Sequence, residues 1–186
     1  MLWTHRTLIS IITFSMSLGI TNLAIGQNLD LGVMIGANLA SLQNDNHQYQ
    51  PGHLYGGFAR ISNHTKLSTI LEIAHHTQRI QLGNKLLTTN TVNFPLLLRY
   101  DINKILFLIA GGQYAFVTKQ PSDVDIEPLK GRQLDLSYGL GINMPMGFSS
   151  TLRFNDPLTR VGSSKHGLSR HLVQLSLEMD LVKLRH

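Results

Sequence analysis

The chain has 186 residues, enough for one domain with its own core, and carries a formal net charge of +5. Its lysines and arginines are scattered singly and form no basic run, which argues against nucleic-acid binding. The absence of cysteine excludes a disulfide scaffold, thiol catalysis and cysteine zinc sites.

The amino terminus has the features of a secretory signal peptide. A short start containing Arg6 precedes an uncharged apolar run over 8–20, and the tripeptide AIG at 24–26 fits a small-x-small cleavage pattern. The run is shorter than the ~20 apolar residues that a spanning helix needs. We therefore predict a signal peptide over 1–26 and a mature domain over 27–186.

After the signal peptide the hydrophobic pattern repeats every two residues, and no segment sustains a helical period. In 133–144, the clearest case, leucine, tyrosine and isoleucine alternate with glutamine, aspartate, serine and glycine. Such alternation predicts strands with one apolar and one polar face. The eight candidate strands are, in chain order, 28–40, 53–62, 66–80, 89–101, 104–118, 133–144, 147–155 and 171–181.

The connections between these strands follow a regular order: long, short, medium, short, long, short and long. Bacterial outer-membrane barrels have this asymmetry, with tight periplasmic turns, longer outer loops and an even number of strands. The order therefore predicts that both termini lie on the side of the short turns, in the periplasm.

These patterns predict an all-β fold: an eight-stranded antiparallel up-and-down transmembrane barrel preceded by a cleavable signal peptide. Closure removes the unpaired sheet edges, and in lipid each unpaired backbone group costs several kcal/mol. A soluble barrel or sandwich, with the apolar faces inside, is the alternative. The polar faces favour the membrane form because they are rich in glycine, serine and threonine, whereas a water-facing surface normally carries more charge.

Pro95 lies at the centre of the candidate strand 89–101, where Val92 to Tyr100 alternate as apolar residues on one face. Proline has no N–H group and removes one hydrogen bond from the ladder. We expect the apolar face of this strand to contact lipid, the opposite face to line the interior, and a local bulge or kink at Pro95.

Several segments also match a known family: LDLGVMIGANLA, GGFARI, KLSTILEIAHH around Glu72, VNFPLLLRYD, LFLIAGGQYAFV with Gly111 and Gly112, DLSYGLGINM, and TLRFNDPLTRVG with Arg153. In these segments the chain resembles the PorT-like group of outer-membrane β-barrel proteins of Bacteroidetes. The resemblance covers nearly the whole mature chain. It implies a barrel in the cell outer membrane and, because the group's named member is linked to protein secretion, it raises an accessory role in secretion as an alternative.

No metal, cofactor or catalytic site is predicted. The adjacent His75 and His76 would point to opposite faces of a strand, and the other histidines lack the ligand spacing of zinc sites. No GxSxG nucleophile motif is present, and the acidic segment 123–127 lacks the glycine and later glutamate of a calcium loop. We expect the protein not to be an enzyme; a lipid-modifying activity is the third reading.

Charged residues on the polar faces give the one residue-level prediction of a site. If Leu71 and Ile73 face lipid, Glu72 points inward, and the same parity applies to Arg99, Asp135, Arg153 and Glu178. Each charge in a narrow lumen needs an opposite partner or a hydrogen bond. We predict that these five residues form a structural network in which Arg99 is central and lies beside Glu72.

The expected function is a structural or interaction role in the outer membrane, with outer loops that bind a partner or an envelope component. Eight strands leave an interior just wide enough for side chains, so an open channel is not expected. The expected partners are outer-membrane lipid and envelope or secretion-system proteins. Transport or secretion across the outer membrane is the alternative.

Overall fold

The computed structural model describes residues 28–42, 50–62, 65–82, 85–119, 132–158 and 170–184. The predicted signal peptide therefore lies outside the described residues. The eight predicted strands are all confirmed, with ends that differ by a few residues: β1 (Asn28–Leu42), β2 (Gln50–Ser62), β3 (Leu67–Leu82), β4 (Lys85–Asp101), β5 (Leu106–Lys119), β6 (Arg132–Asn143), β7 (Phe148–Pro157) and β8 (Arg170–Leu184). A single 3-10 turn, Pro145–Gly147, lies between β6 and β7.

Every strand pairs antiparallel with the next along the chain, and β8 pairs with β1, so the sheet closes on itself. Met34 of β1, for example, lies opposite Gly56 on one side and Glu178 on the other. The predicted eight-stranded up-and-down barrel is therefore confirmed.

The faces alternate as the sequence predicts, with polar side chains inside and apolar side chains outside. In β6, Asp135 and Ser137 are buried, whereas Leu136 and Leu140 are exposed. Every strand contributes exposed apolar side chains, which together form a belt around the barrel: Ile35, Tyr55, Ile73, Leu96, Leu108, Leu140, Phe154 and Leu175, among others. This arrangement is the reverse of that in a water-soluble barrel.

The two ends of the barrel differ in their connections. The short-turn end carries three connections of four residues each, 63–66, 102–105 and 144–147, and both ends of the described chain. The loop end carries 43–49, 83–84, 120–131 and 158–169. The predicted medium-length connection between the third and fourth strands is wrong, because Leu82 pairs with Lys85. Backbone pairing does not require the alternation of apolar and polar side chains on which the prediction rested, so the ladder continues through this segment.

Pro95 does not produce the predicted bulge. The β3–β4 ladder contains the pairs Leu71–Leu96 and Ala74–Asn93, while Glu72 and Ile73 between them have no partner in β4. The register is the same on both sides of this gap, so the chain loses pairing locally without inserting a residue. The missing N–H of proline weakens the ladder, but the flanking pairs hold the alignment.

An apolar cluster from β2 to β5 fills part of the lumen: Phe58, Ile70, Leu97, Phe107 and Ile109. Two glycines make room for its aromatic rings. Gly32 lies opposite Phe58 and Gly141 lies opposite Phe107, and in each pair the ring occupies the space that a Cβ on the glycine would need. The lumen is therefore packed by side chains from neighbouring strands.

Replacing Gly141 with alanine should lower the free energy of unfolding by about 1–3 kcal/mol, because the new Cβ would overlap the ring of Phe107. Gly112→Ala is the matched control, since a Cβ there meets no atom within 4 Å. Urea unfolding of the refolded barrel in detergent micelles would measure both. Equal losses in the two variants would contradict this account of the lumen.

Candidate functional site: the charged lumen

The five charged residues that parity places inside the barrel are all buried: Glu72, Arg99, Asp135, Arg153 and Glu178. They come from β3, β4, β6, β7 and β8. Their contacts divide them into separate groups along the lumen, because Glu72, Arg153 and Glu178 lie together while Arg99 and Asp135 have other partners.

Arg153 and Glu72 form a two-point ion pair across the lumen. Arg153 Nη1 donates to Glu72 Oε2 at 2.8 Å, and Nη2 donates to Oε1 at 2.7 Å. The side chains are only 1% and 2% exposed. β7 and β3 lie four strands apart in a ring of eight, so this pair connects opposite walls. The planar guanidinium matches the carboxylate in this geometry.

The predicted pairing of Arg99 with Glu72 is wrong. The residue opposite Arg99 in the β3–β4 ladder is Ser68, four positions before Glu72, which is about 13 Å along a strand. Arg99 instead donates to Asp101 Oδ1 from Nε at 3.0 Å and from Nη2 at 2.7 Å, and Nη2 donates to Asn143 Oδ1 at 2.8 Å. Alternation fixes the face of a residue, but only the register fixes its neighbours.

Glu178 is held by hydroxyl groups. Thr151 Oγ1 donates to its carboxylate at 2.9 Å, Ser149 Oγ at 3.3 Å and Ser176 Oγ at 3.4 Å. Glu178 also lies within electrostatic range of Arg153 and Glu72. The Arg153 guanidinium therefore pairs directly with Glu72, whereas the Glu178 carboxylate is satisfied by hydroxyl hydrogen bonds.

Asp135 lies nearer the loop end, where β6 begins. Gln113 Nε2 of β5 donates to its Oδ2 at 3.4 Å. Carboxamides from several strands are buried at this end, among them Asn38, Asn93, Gln113 and Gln174. The loop end of the lumen is thus lined mainly by neutral polar groups.

A second charged group lies at the short-turn end, around Arg60 of β2. Arg60 donates to Asp30 from Nη2 at 2.9 Å and from Nε at 3.2 Å, and Nη2 contacts both oxygens of Asp180, the nearer at 2.7 Å. Lys183 Nζ adds a contact to Asp180 at 3.0 Å. The group bridges β8, β1 and β2 across the seam where the barrel closes.

A cavity of about 300 Å³ opens at this end, lined by Arg60, Arg99, Asp101, Asp180 and their neighbours. The guanidinium of Arg99 lies 3.7 Å above the ring of Phe107, which belongs to the apolar cluster. Cations are attracted to the face of an aromatic ring. The apolar cluster therefore supports the charged group at the mouth.

Sequence reasoning missed Arg60, Asp30 and Asp180 as site residues. Asp30 and Asp180 do occupy the polar faces of their strands, so their inward direction was available from the sequence. Their proximity to each other could not be predicted from the sequence, because it depends on the pairing of the first strand with the last.

The histidines of β3 point to opposite faces, as predicted. His75 stacks on Tyr55 of β2 with ring centroids 5.1 Å apart, whereas His76 is buried inside. Within the described ranges, no group of three or more histidine, aspartate or glutamate side chains is arranged to hold a metal ion. The histidines at 47, 64 and 166, and the acidic segment 123–127, lie outside the described residues.

The Arg153–Glu72 pair should show strong energetic coupling. Arg153→Met alone leaves a buried carboxylate without its cation, a change that typically costs about 3–5 kcal/mol. The double variant Arg153→Met, Glu72→Gln should lose less than the sum of the single losses, by about 0.5–3 kcal/mol. Urea unfolding in detergent micelles of the unaltered protein, the two single variants and the double variant gives the four free energies of unfolding for this double-mutant cycle.

The matched control is the cycle of Arg99→Met with Glu72→Gln. These side chains have other partners, so their losses should add within about 0.5 kcal/mol. Coupling of Glu72 to Arg99 rather than to Arg153 would refute the assignment of partners.

No family model matches the chain, and no curated protein matches it. Solved structures do match. The Ail protein of Yersinia pestis, solved with the heparin analogue sucrose octasulfate, is 12% identical with a TM-score of 0.50, covering 84% of this chain and 100% of Ail. Neisserial surface protein A is 9% identical with a TM-score of 0.53, covering 81% of this chain and 97% of that protein. The chain therefore shares the fold of small eight-stranded barrels of the outer-membrane type.

Proposed function

We propose that the mature chain is a small outer-membrane barrel with a structural or interaction role and a lumen filled by side chains. The observation that carries this proposal is the inverted distribution of polarity, in which the belt is exposed on all eight strands while charged and amide side chains are buried. An apolar surface of this extent on a soluble monomer would be a liability. In a bilayer it meets hydrocarbon, and the closed ladder satisfies the backbone.

The proposed orientation places the short-turn end in the periplasm and the loop end outside the cell, as in bacterial outer-membrane barrels. Export would use the predicted signal peptide over 1–26. None of the described segments is a helix long and apolar enough to cross a membrane.

The packed lumen argues against a diffusion channel. The apolar cluster of β2 to β5 and the Arg153–Glu72 pair both occupy it, and an eight-stranded barrel has little further room. We therefore assign the function to the surface and the loops rather than to transport through the barrel.

The proposed partners are outer-membrane lipid and an envelope component bound by the outer loops. Ail, which has this fold, binds a heparin analogue, and by analogy a sugar-containing envelope component is a reasonable partner class here. A secretion accessory role, implied by the resemblance to the PorT-like group, is the second candidate. Stoichiometric capture of secretion-system proteins by the purified barrel would favour it.

Single-cysteine labelling tests the orientation cleanly, because the chain has no cysteine of its own. On intact cells a membrane-impermeant maleimide should label Asp125→Cys, in the connection 120–131, but not Lys104→Cys, in the short turn 102–105. Permeabilised cells should label both. Labelling of Lys104→Cys alone on intact cells would reverse the orientation, and recovery of a soluble mature protein would refute the membrane location.

Purified protein in planar bilayers should give no stable open conductance, because the apolar cluster and the ion pair fill the lumen. Leu97→Ser, which removes a fully buried apolar side chain from the cluster, is the comparison that should be leakier if the cluster is the barrier. Stable conductance from the unaltered protein would overturn this assignment.

A further inference from the structure

The cavity at the short-turn end has the size of a small-molecule site. Its volume of about 300 Å³ lies at the lower end of the usual range of ligand pockets, about 300–1,000 Å³. Its rim reaches solvent, because the side chains of Asp101 and Lys183 are 35% and 43% exposed. Its inner wall includes the buried residues Ser68 and Arg99. A small molecule can therefore enter from the short-turn end without displacing the central ion pair of the lumen, which does not line this cavity.

The charges that line the cavity are not balanced. Its described lining residues include four cationic side chains, Arg60, Arg99, Lys104 and Lys183, and three carboxylates, Asp30, Asp101 and Asp180, which leaves an excess of one positive charge. On one side, Asp30 and Asp180 pair with Arg60, and Lys183 adds its contact to Asp180. On the other side, Asp101 pairs with Arg99, while Lys104 forms no ion pair within the described part of the chain. The excess positive charge therefore lies on the side of Arg99 and Lys104.

Asn143 connects these two cations. Its Oδ1 accepts a hydrogen bond from Arg99 Nη2 at 2.8 Å, and its Nδ2 donates to the backbone oxygen of Lys104 at 3.2 Å. The guanidinium of Arg60 also lies within electrostatic range of Arg99. The repulsion between these like charges would be relieved by an anion bound in the cavity.

Two hydrogen-bond donors on this side of the cavity have no partner. Arg99 uses Nε and Nη2 to contact Asp101 and Asn143, but its buried Nη1 has no partner among the described residues. Ser68 lies directly opposite Arg99 in the β3–β4 ladder, and its buried hydroxyl group is likewise without a partner there. Since a buried donor without a hydrogen bond is costly, two such donors on neighbouring residues indicate a place for an acceptor.

Asp101 offers an acceptor beside these donors. Both hydrogen bonds from Arg99 reach its Oδ1 atom. Among the described residues, no donor contacts Oδ2 of this partly exposed side chain. The cavity thus presents two donors and one acceptor on the side that carries the excess positive charge.

We propose that this cavity binds a small hydroxycarboxylate. Its carboxylate would accept hydrogen bonds from Arg99 Nη1 and the Ser68 hydroxyl group, in the field of Lys104, and its hydroxyl group would donate to Asp101 Oδ2. A carboxylate matches the planar guanidinium, and its single negative charge balances the single excess positive charge. A phosphate dianion would exceed that charge beside Asp101, and a zwitterionic amino acid would leave it uncompensated. The periplasmic source of the ligand rests on the proposed orientation of the barrel.

Backbone amide chemical shifts of the isotope-labelled barrel, refolded in detergent micelles, test the proposal with racemic lactate as the probe. The shifts of Ser68, Arg99 and Lys104 should change in a saturable way. Propionate, which lacks the hydroxyl group, should bind about 10- to 100-fold more weakly, the usual effect of losing a hydrogen bond to a charged group. Inorganic phosphate should also bind more weakly than lactate.

Ser68→Ala separates binding from folding. Because the Ser68 hydroxyl group has no partner among the described residues, its removal should not lower the midpoint of urea unfolding, yet it should weaken lactate binding about 10- to 100-fold. Lys104→Gln should weaken binding about 2- to 5-fold, as expected for one exposed charge. Lys66→Gln is the matched control, because Lys66 precedes β3 in the short turn 63–66 and does not line the cavity. It should bind lactate like the unaltered protein.

Heat-modifiable migration reports whether each variant has formed the barrel. The proposal is overturned if the folded barrel shows no saturable shift changes, if the changes lie away from the short-turn end, or if propionate or phosphate binds as tightly as lactate. Unchanged lactate binding in Ser68→Ala, or equal weakening in Lys66→Gln and Lys104→Gln, would also overturn it. Because binding is measured on the purified barrel, it fails or holds independently of the orientation in the membrane.

Discussion

Pairing of β1 with β8 is the constraint on which the rest of the structure depends. The ladder between these strands runs from Leu29–Leu184 to Leu42–Arg170 and leaves the sheet without an edge. In hydrocarbon each unpaired backbone group costs several kcal/mol, so an open sheet with this apolar exterior would have no stable place in a bilayer. Closure also fixes the number of strands around the lumen, and eight strands leave room for side chains only.

A narrow closed lumen determines which inward side chains are compatible. Charges there lose most of their hydration, so they need partners at close range. Arg153 and Glu72 meet from opposite walls with 1% and 2% exposure, which is possible only because the lumen is about two long side chains wide. In the apolar cluster of the lumen, Phe58 and Phe107 fit because glycines lie opposite them. Large and small residues thus complement one another across the ladders.

Local sequence was sufficient to predict the strands and their faces, because a period of two is a property of neighbouring residues. The inward direction of Glu72, Arg99 and Arg153 follows from parity alone. The partners of these side chains did not follow from parity. Glu72 and Arg153 are 81 residues apart in the chain, and their contact depends on the registers of several intervening strand pairs. The extent of β3 and β4 was also hidden, since their ends beyond residue 80 and before residue 89 lack the apolar alternation on which the prediction rested.

The two faces of the sheet have different roles. Inside, the Arg153–Glu72 pair holds one wall against the opposite wall, so a substrate entering the lumen would have to displace this contact. Outside, a side chain above the apolar belt does not have to hold the walls of the barrel together. The register can place residues from distant segments in one row there. Asp156 and His171 stand 15 residues apart on either side of a loop-end connection, and their side chains meet at 2.8 Å. The ladder can therefore bring polar side chains of distant segments together on the outer rim without the lumen having to open.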